Sequence, residues 1–354
     1  MTNINQPNPT FIPHSRPTLG AEEVKAVSKV IESGHIAEGS VVQEFESTFA
    51  QRLGVKHAVA VGSGTAALHL SLLALGIGPA DEVIMPSYVC TALLNAVCYV
   101  KASPVFAEIN PVTFNIDPTD VKKRLTRRTK AIIVPHLFGL AADLNGLSGL
   151  DVPIIEDCAQ AVGGQLDNKP LGSFGDVAIF SFYATKVMTC GEGGMVVSDS
   201  KEFADRISDL KSYDNRDNYK LRFNYKMTDI HAAVGLTQLD RLDNFVQRRR
   251  VVAQRYFDAF SFAGVTLPSD DPDHIYFRYV VSLKTESQTM IRHLLKKGVG
   301  CARPIHKPLH QCLNLDGYPI TDNAWETSIS VPIYPSLSDT EVQKIIDAFS
   351  ESIN

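Results

Sequence analysis

The 354-residue sequence predicts an α/β fold with a largely parallel central sheet, followed by a smaller α+β unit. Three observations predict it. Apolar runs of strand length recur through the first part of the chain, their apolarity is continuous rather than alternating, and helical stretches lie between several of them. Continuous apolarity marks strands buried on both faces, and strand–helix alternation is the pattern of a parallel sheet covered on both sides. The chain also exceeds what one compact core usually organises, which adds a second domain.

The first residues, "MTNINQPNPTFIPHSRP", are polar and proline-rich, with no basic segment leading into an apolar one. They read as an N-terminal arm over residues 1–19 rather than a signal peptide. Strands are expected at 57–63, 82–87, 103–109, 131–136, 152–158, 177–183 and 194–198, with helices at 65–75, 89–100 and 118–125. From Met227 to Phe262 the apolar residues keep helical spacing, as in Ile230, Val234, Leu242, Phe245 and Val252, so one long helix could bridge two domains. Beyond it, "HIYFRYVVSL" (274–283) reads as a strand, "ESQTMIRHLLKKG" (286–298) as a helix ending at a glycine cap, and 338–353 as a terminal helix. The expected division is a large domain over 1–249 and a small one over 250–354.

Composition narrows the function classes. With 44% hydrophobic and 21% charged residues and no low-complexity tract, the chain can bury a sizeable core. Its net charge of -5 is mild and spread out, which argues against a nucleic-acid partner. The basic run Arg248, Arg249, Arg250 reads as a solvated helix face or a subunit contact. The longest nearly apolar stretch, "AALHLSLLALGI", has 12 residues and contains His69 and Ser71, short of the roughly 20 a membrane span needs. The six cysteines, at 90, 98, 158, 190, 301 and 312, form no CxxC pair and suit free thiols in a reducing cytoplasm; no metal site is expected.

Three short stretches could carry chemistry. "VGSGTAALHL" (61–70) is a strand end, a Gly-Ser-Gly turn and a helix beginning near Thr65. Free N–H groups and the dipole at a helix N-terminus suit a phosphate, although helix capping alone also explains such a turn. The stretch is neither GxxxxGK[ST] nor GxGxxG, because Ala67 stands where the third glycine would be. "VPIIEDCAQAVGG" (152–164) places Glu156 and Asp157 where a strand ends. Either could cap a following helix; alternatively, Asp157 could keep a heteroaromatic nitrogen protonated, with Gln160 projecting to the same region. In "FSFYATKVMTCGEGGMVVSD" (180–199), Lys186 follows an apolar approach and precedes a tight glycine turn. A lone lysine is usually a surface charge, but a desolvated one has a lowered pKa and can form a Schiff base. Ser181 and Thr65 can add hydroxyls to a phosphate. A phosphate cradle, an acidic partner for a ring nitrogen and a strand-end lysine, in that order, suit pyridoxal phosphate.

With those residues in place, the sequence resembles the DegT/DnrJ/EryC1/StrS family of sugar aminotransferases. The blocks that carry the resemblance are "SRPTLGAEEVKAVSKVIESGHIAEGSVVQEFESTFAQRLGVKHAVAVGSGTAALHLSLLALGIGPADEVIMPS", "TKAIIVPHLFGLAADLNGL", "EDCAQAVGG", "FSFYATKVMTCGEGGMVV" and "FNYKMTDIHAAVGLTQLDRL", in the family's order over nearly the whole chain. The resemblance implies a pyridoxal-phosphate enzyme of fold type I. Lys186 would be the covalent anchor and proton carrier, Asp157 would pair with the ring nitrogen, and Gln160 would touch the ring's phenolic oxygen. Gly64, Thr65, the backbone at Ala66, and Ser181 would hold the phosphate. Asn224 in "FNYKMTD" would reach across from a neighbouring subunit, implying a homodimer with composite sites.

Two positions depart from the family's pattern. Cys90 stands where an aromatic residue usually stacks on the cofactor ring, with Tyr88 two residues earlier as a possible substitute; His306 stands near an expected tyrosine. The activity implied is transfer of an amino group from glutamate or glutamine to a keto group of a nucleotide-linked sugar. The same scaffold also hosts keto-deoxysugar dehydratases, which carry histidine at the lysine position, and cofactor-binding regulatory proteins without turnover.

Overall fold

The computed structural model describes residues 11–353, so residues 1–10 of the expected arm lie outside the described residues. Two helices, α1 (Ala21–Ser33) and α2 (Ser40–Leu53), precede β1 (His57–Val61). There follow α3 (Gly64–Ala74), β2 (Glu82–Pro86), α4 (Thr91–Tyr99), β3 (Ser103–Ala107), α5 (Pro118–Arg124), β4 (Thr129–Pro135) and β5 (Ile154–Asp157). A small hairpin, β6 (Gln165–Leu166) with β7 (Lys169–Pro170), then leads to β8 (Val177–Ser181) and β9 (Gly194–Ser198).

Seven of these strands form one sheet in the order β1-β9-β8-β5-β4-β2-β3. From β3 to β8 the neighbours run parallel, while β9 runs antiparallel to both β8 and β1. The sheet is buried on both faces, as continuous apolarity predicts. Within β1, Val59 and Val61 join the core beneath α3 and α4, whereas Ala60 joins Phe45, Phe49, Phe180 and Phe182 on the other face. The second face is an aromatic cluster: the Phe49 ring lies 4.9 Å from Phe180 and 5.5 Å from Phe182. Each such ring contributes roughly 1.5–3 kcal/mol by leaving water. The strand order sets the carboxyl ends of β5 and β8 side by side, with Asp157 opposite Ile179.

The chain continues through α6 (Lys201–Leu210), α7 (Asp229–Asp240), α8 (Leu242–Phe260), β10 (Tyr279–Ser282), α9 (Ser287–Lys296), α10 (Leu309–Cys312), α11 (Pro319–Thr327), β11 (Ser328–Val331) and α12 (Asp339–Ile353). The single helix expected from 227 to 262 is instead two. Thr228 caps α7 by accepting from the His231 N–H, and the path breaks at Arg241 (φ -96°, ψ -1°), whose guanidinium donates to Glu23 of α1 at 2.7 Å. The strand expected over 274–283 shrinks to β10. Residues 274, 275 and 278 spend their N–H groups on the carbonyls of Asp271, Gly139 and Phe138, and Tyr276 has φ 50°.

Beyond α8, β10 pairs antiparallel with β11, and α8, α9 and α12 pack around them in a separate core. Leu242 and Val246 of α8 face the aromatic cluster of the large sheet; Val252, Tyr256 and Phe260 face this second core. We propose the domain boundary within α8, near residue 250. The described part of the arm is bound, not loose: Ile12 is buried, donating to Gly298 O at 2.9 Å and accepting from Gly300 N at 2.8 Å.

Of the basic run, read as a solvated face or a subunit contact, Arg248 and Arg250 are half-buried and Arg249 turns inward. Arg249 is only 4% exposed, with Nη1 donating to the carbonyls of Tyr276, Phe277 and Ile333, because its position on α8 turns it towards β10 and β11. All six cysteines are free. Among the described residues, no helix is long and apolar enough to cross a membrane.

Candidate functional site

The glycine-rich turn between β1 and α3 builds a cradle. Ser63 is extended, and its hydroxyl accepts from the Ala66 N–H at 3.1 Å, so the helix opens at Gly64, one residue before the expected start. Glycine is required at 64 by space: a Cβ there would lie 2.8 Å from Ser181 Cβ. Gly194 meets the same turn, where a Cβ would come 2.5 Å from the Ser63 carbonyl carbon. Gly64, Thr65, Ala66 and Ser181 are thus brought together at a helix N-terminus whose dipole favours an anion, with the Ala66 N–H already capped by Ser63.

Beside this cradle, Asp157 ends β5 and is buried, its Oδ1 accepting from the Ala159 N–H at 3.0 Å. Burial raises its pKa; the Ala159 N–H, Lys186 and His136 pull the other way without cancelling it. No helix follows, contrary to the expectation: residues 159–163 form turns leading into the β6–β7 hairpin. Asp157 anchors that turn rather than capping a helix, and Gln160 accepts from the Phe138 N–H at 3.0 Å through Oε1.

Glu156 points elsewhere. Its two oxygens accept from the N–H groups of Gly172, Phe174 and Gly175, and Oε2 also meets His136 Nε2 at 3.1 Å. His136, Glu156 and Cys158 lie close enough to resemble a metal-ligand set. Glu156 is already fully engaged, however, and His136 Nδ1 accepts from the Ala142 N–H at 3.0 Å, so the cluster is a hydrogen-bonded brace for the loop before β8.

Lys186 lies on the loop from β8 to β9, with Nζ 5.4 Å from the centre of the Phe277 ring. Part of the residue remains exposed, but enclosure of the amine lowers its pKa; Cys90 and Asp157 act upwards, and Arg278 acts downwards. A buried carboxylate that its neighbours offset only in part, an amine biased towards its free base and an anion cradle fit the cofactor inferred from sequence.

The remaining candidates separate. Tyr88 cannot serve as the ring-stacking residue: it is buried, stacks on Phe114 at 5.9 Å, and donates to Ala324 O at 3.3 Å. Cys90, at the N-cap of α4, is exposed and near enough to influence the Lys186 charge. Asn224 is also exposed; its neighbour Tyr225 accepts from the Gly62 N–H at 2.7 Å, so that segment runs along the cradle. His306 is exposed, and its carbonyl accepts from Trp325 Nε1 at 3.1 Å. Sequence reasoning missed Phe277, Arg278 and His14. A charged residue inside the apolar run "HIYFRYVVSL" was the available signal for Arg278.

Comparison with known proteins agrees with this geometry. The DegT/DnrJ/EryC1/StrS aminotransferase family profile matches residues 17–350. The chain is 36% identical to the spore coat polysaccharide biosynthesis protein SpsC of Bacillus subtilis, covering 97% of each chain. It is 35% identical to the GDP-perosamine synthase of Escherichia coli O157:H7, covering 96% of this chain and 98% of the relative. Among solved structures, the PLP form of the putative sugar aminotransferase Spr1654 from Streptococcus pneumoniae aligns with a TM-score of 0.91 at 28% identity, over 97% and 98% of the two chains.

Proposed function

The chain belongs to the DegT/DnrJ/EryC1/StrS aminotransferase family, and from that premise we propose that it moves an amino group from glutamate or glutamine to a keto carbon of a nucleotide-linked sugar. It is a pyridoxal-phosphate-dependent transaminase of sugar biosynthesis, supported by the family match and by the PLP form of the similar putative sugar aminotransferase. The observation that carries the reading is the placement of Asp157 within electrostatic reach of Lys186, beyond the ends of adjacent parallel strands and next to the cradle at Gly64.

When bound, pyridoxal phosphate supplies an electron sink that stabilises a carbanion at the amino-bearing carbon. The protein's own groups then have distinct tasks. Lys186 would hold the cofactor through its amine, and its lowered pKa suits it to take up and return a proton at Nζ. Asp157 would hold the cofactor at its ring nitrogen, favouring the protonated form, and Gln160 would contact the ring's phenolic oxygen. Gly64, Thr65, Ala66 and Ser181 hold the phosphate, and Asn224 completes that site in a neighbouring subunit of a homodimer. The free cysteines suit a reducing cytoplasm as the place of work.

The test is a panel of nucleotide keto-sugars incubated with glutamate or glutamine and the loaded protein, with the amino sugar identified by mass spectrometry. Amination of at least one nucleotide sugar is expected. Amination only of free sugars, or of none, would remove the nucleotide from the substrate.

A further inference from the structure

The turn after β4 is strained where it passes Gln160. Phe138 is buried and left-handed (φ 59°, ψ 12°), a conformation that bulky residues adopt only when their surroundings impose it. Two more buried aromatic residues share it: Phe114 (φ 61°), whose ring lies 5.6 Å from that of Phe138, and Tyr276 (φ 50°).

This turn is clamped from two sides. Buried Asn115 accepts from the Leu137 N–H at 2.8 Å and donates to the carbonyls of Leu140 and Ala141 at 3.1 and 3.0 Å. From the segment that leads into β10, Ile275 donates to Gly139 O at 3.1 Å. A Cβ on Gly139 would stand 2.6 Å from Ile275 Cγ1 and 2.9 Å from the Phe277 nitrogen, so the two backbones are in contact.

The Phe138 peptide joins the two sides. Its N–H donates to Gln160 Oε1 at 3.0 Å, while its carbonyl meets His274 Nε2 at 3.2 Å and accepts from the Arg278 N–H at 3.4 Å. A backbone N–H can only donate, so the Gln160 oxygen is fixed towards Phe138 and the amide NH2 is turned away. Among the described residues, that NH2 meets no acceptor. His274 is buried and stacked on Tyr276 at 3.9 Å, with Nδ1 facing the Ser269 carbonyl at 3.3 Å. Burial presses its pKa down to about 4 against the pull of the two carbonyls and Asp271, so at neutral pH it has one ring proton. The Ser269 carbonyl also receives the Tyr276 hydroxyl at 3.4 Å, which leaves that proton to the Phe138 carbonyl.

We propose that the Phe138 peptide and His274 are positioning groups for Gln160, holding its amide NH2 towards the phenolic oxygen of the bound cofactor. The inference rests on the pyridoxal-phosphate reading above, with Gln160 at that oxygen. An N–H aimed at an oxygen that can carry negative charge favours the anion. The ring then gives up the proton it shares with the Lys186 nitrogen at a lower pH. Loosening the Phe138 turn leaves Gln160 in the chain but spoils its aim.

A pH titration of the visible absorbance of the loaded protein, with no amino donor present, reads that proton. His274→Phe keeps a ring against Tyr276 and loses the donor, so its midpoint should rise by about 0.5–1 unit. His274→Gln, whose amide nitrogen can reach the same carbonyl, should return towards wild type. Gln160→Met has no NH2 to aim; its midpoint should rise, and adding His274→Phe should raise it no further. Melting curves of the cofactor-free variants check folding. If His274→Phe melts early, His274→Asn takes its place, because its shorter amide can serve Ser269 but not Phe138. An unmoved midpoint on losing the His274 donor, or a shift that persists undiminished beside Gln160→Met, overturns the proposal. A wild-type protein that takes up no cofactor on Lys186 overturns the pyridoxal-phosphate reading and this proposal with it. One that loads the cofactor yet aminates no sugar overturns only the proposed substrate, and the midpoints still decide the role of His274.

Discussion

Asp157 and Lys186 are each pushed by burial towards the neutral form, and each partly restores the other's charge. A carboxylate with a raised folded-state pKa weakens the fold: the unfolded chain loses its proton first, so stability falls as pH rises from the unfolded value of 3.8 through the folded one. Asp157→Asn removes that penalty while deleting the partner of the ring nitrogen. Cofactor-free Asp157→Asn should therefore match wild type below about pH 3 and melt at or above it at pH 7, while the loaded variant loses about 10²-fold or more in the glutamate half-reaction. Melting curves across pH and single-turnover absorbance check the two signs separately; a variant that melts lower yet reacts normally contradicts both. These two residues were legible because each closes an apolar stretch, a pattern local to the chain. Arg249 and Arg278 were not, because their partners, among them Ile333 and His14, are brought alongside only by the fold.

Most strands were legible within about two residues, since a buried parallel strand advertises itself by continuous apolarity. The first two helices were not. Their N-caps are Gly20 and Gly39, without the serine, threonine or aspartate that marks a helix start. The cap of α2 comes from far along the sequence: buried Asp229, at the start of α7, accepts from the N–H groups of Gly39 at 2.8 Å, Val42 at 3.0 Å and Val41 at 3.4 Å. Glycine at 39 serves space rather than conformation, because a Cβ would lie 2.7 Å from Asp229 Oδ2. One carboxylate thereby ties α2 to α7. Asp229→Ala should cost about 1–2 kcal/mol, seen as a lower urea midpoint at constant slope, and Asp229→Asn should cost less because one oxygen acceptor remains. A midpoint unchanged by Asp229→Ala would mean that water satisfies the α2 terminus equally well.

At the scale of the whole chain, the two-unit plan was readable from length and from the change of pattern after the long helical stretch, whereas the pairing of subunits leaves only indirect marks. On α1, Val24 and Ile31 are 68% and 59% exposed, an apolar face that a second copy would cover. Asn224 is exposed in a segment lying against the Gly62 turn, so its side chain is free to face another chain. We propose a two-fold dimer in which each site takes Lys186 from one protomer and Asn224 from its partner. This arrangement makes a quantitative prediction. Lys186→Ala lacks the anchor, and Asn224→Asp sets a carboxylate against the cofactor phosphate, so each homodimer should be nearly inactive. When the two variants are co-expressed in equal amounts, half of the dimers are mixed, and one of the two sites in each mixed dimer combines an intact Lys186 with an intact Asn224. Activity should then recover to about a quarter of the wild-type value per protomer. If Asn224 instead serves the site of its own chain, every site keeps one lesion and the mixture stays as inactive as its parents. Sedimentation of the same samples decides between that result and failure to form mixed dimers, and a wild-type chain that sediments as a fully active monomer would remove the shared site altogether.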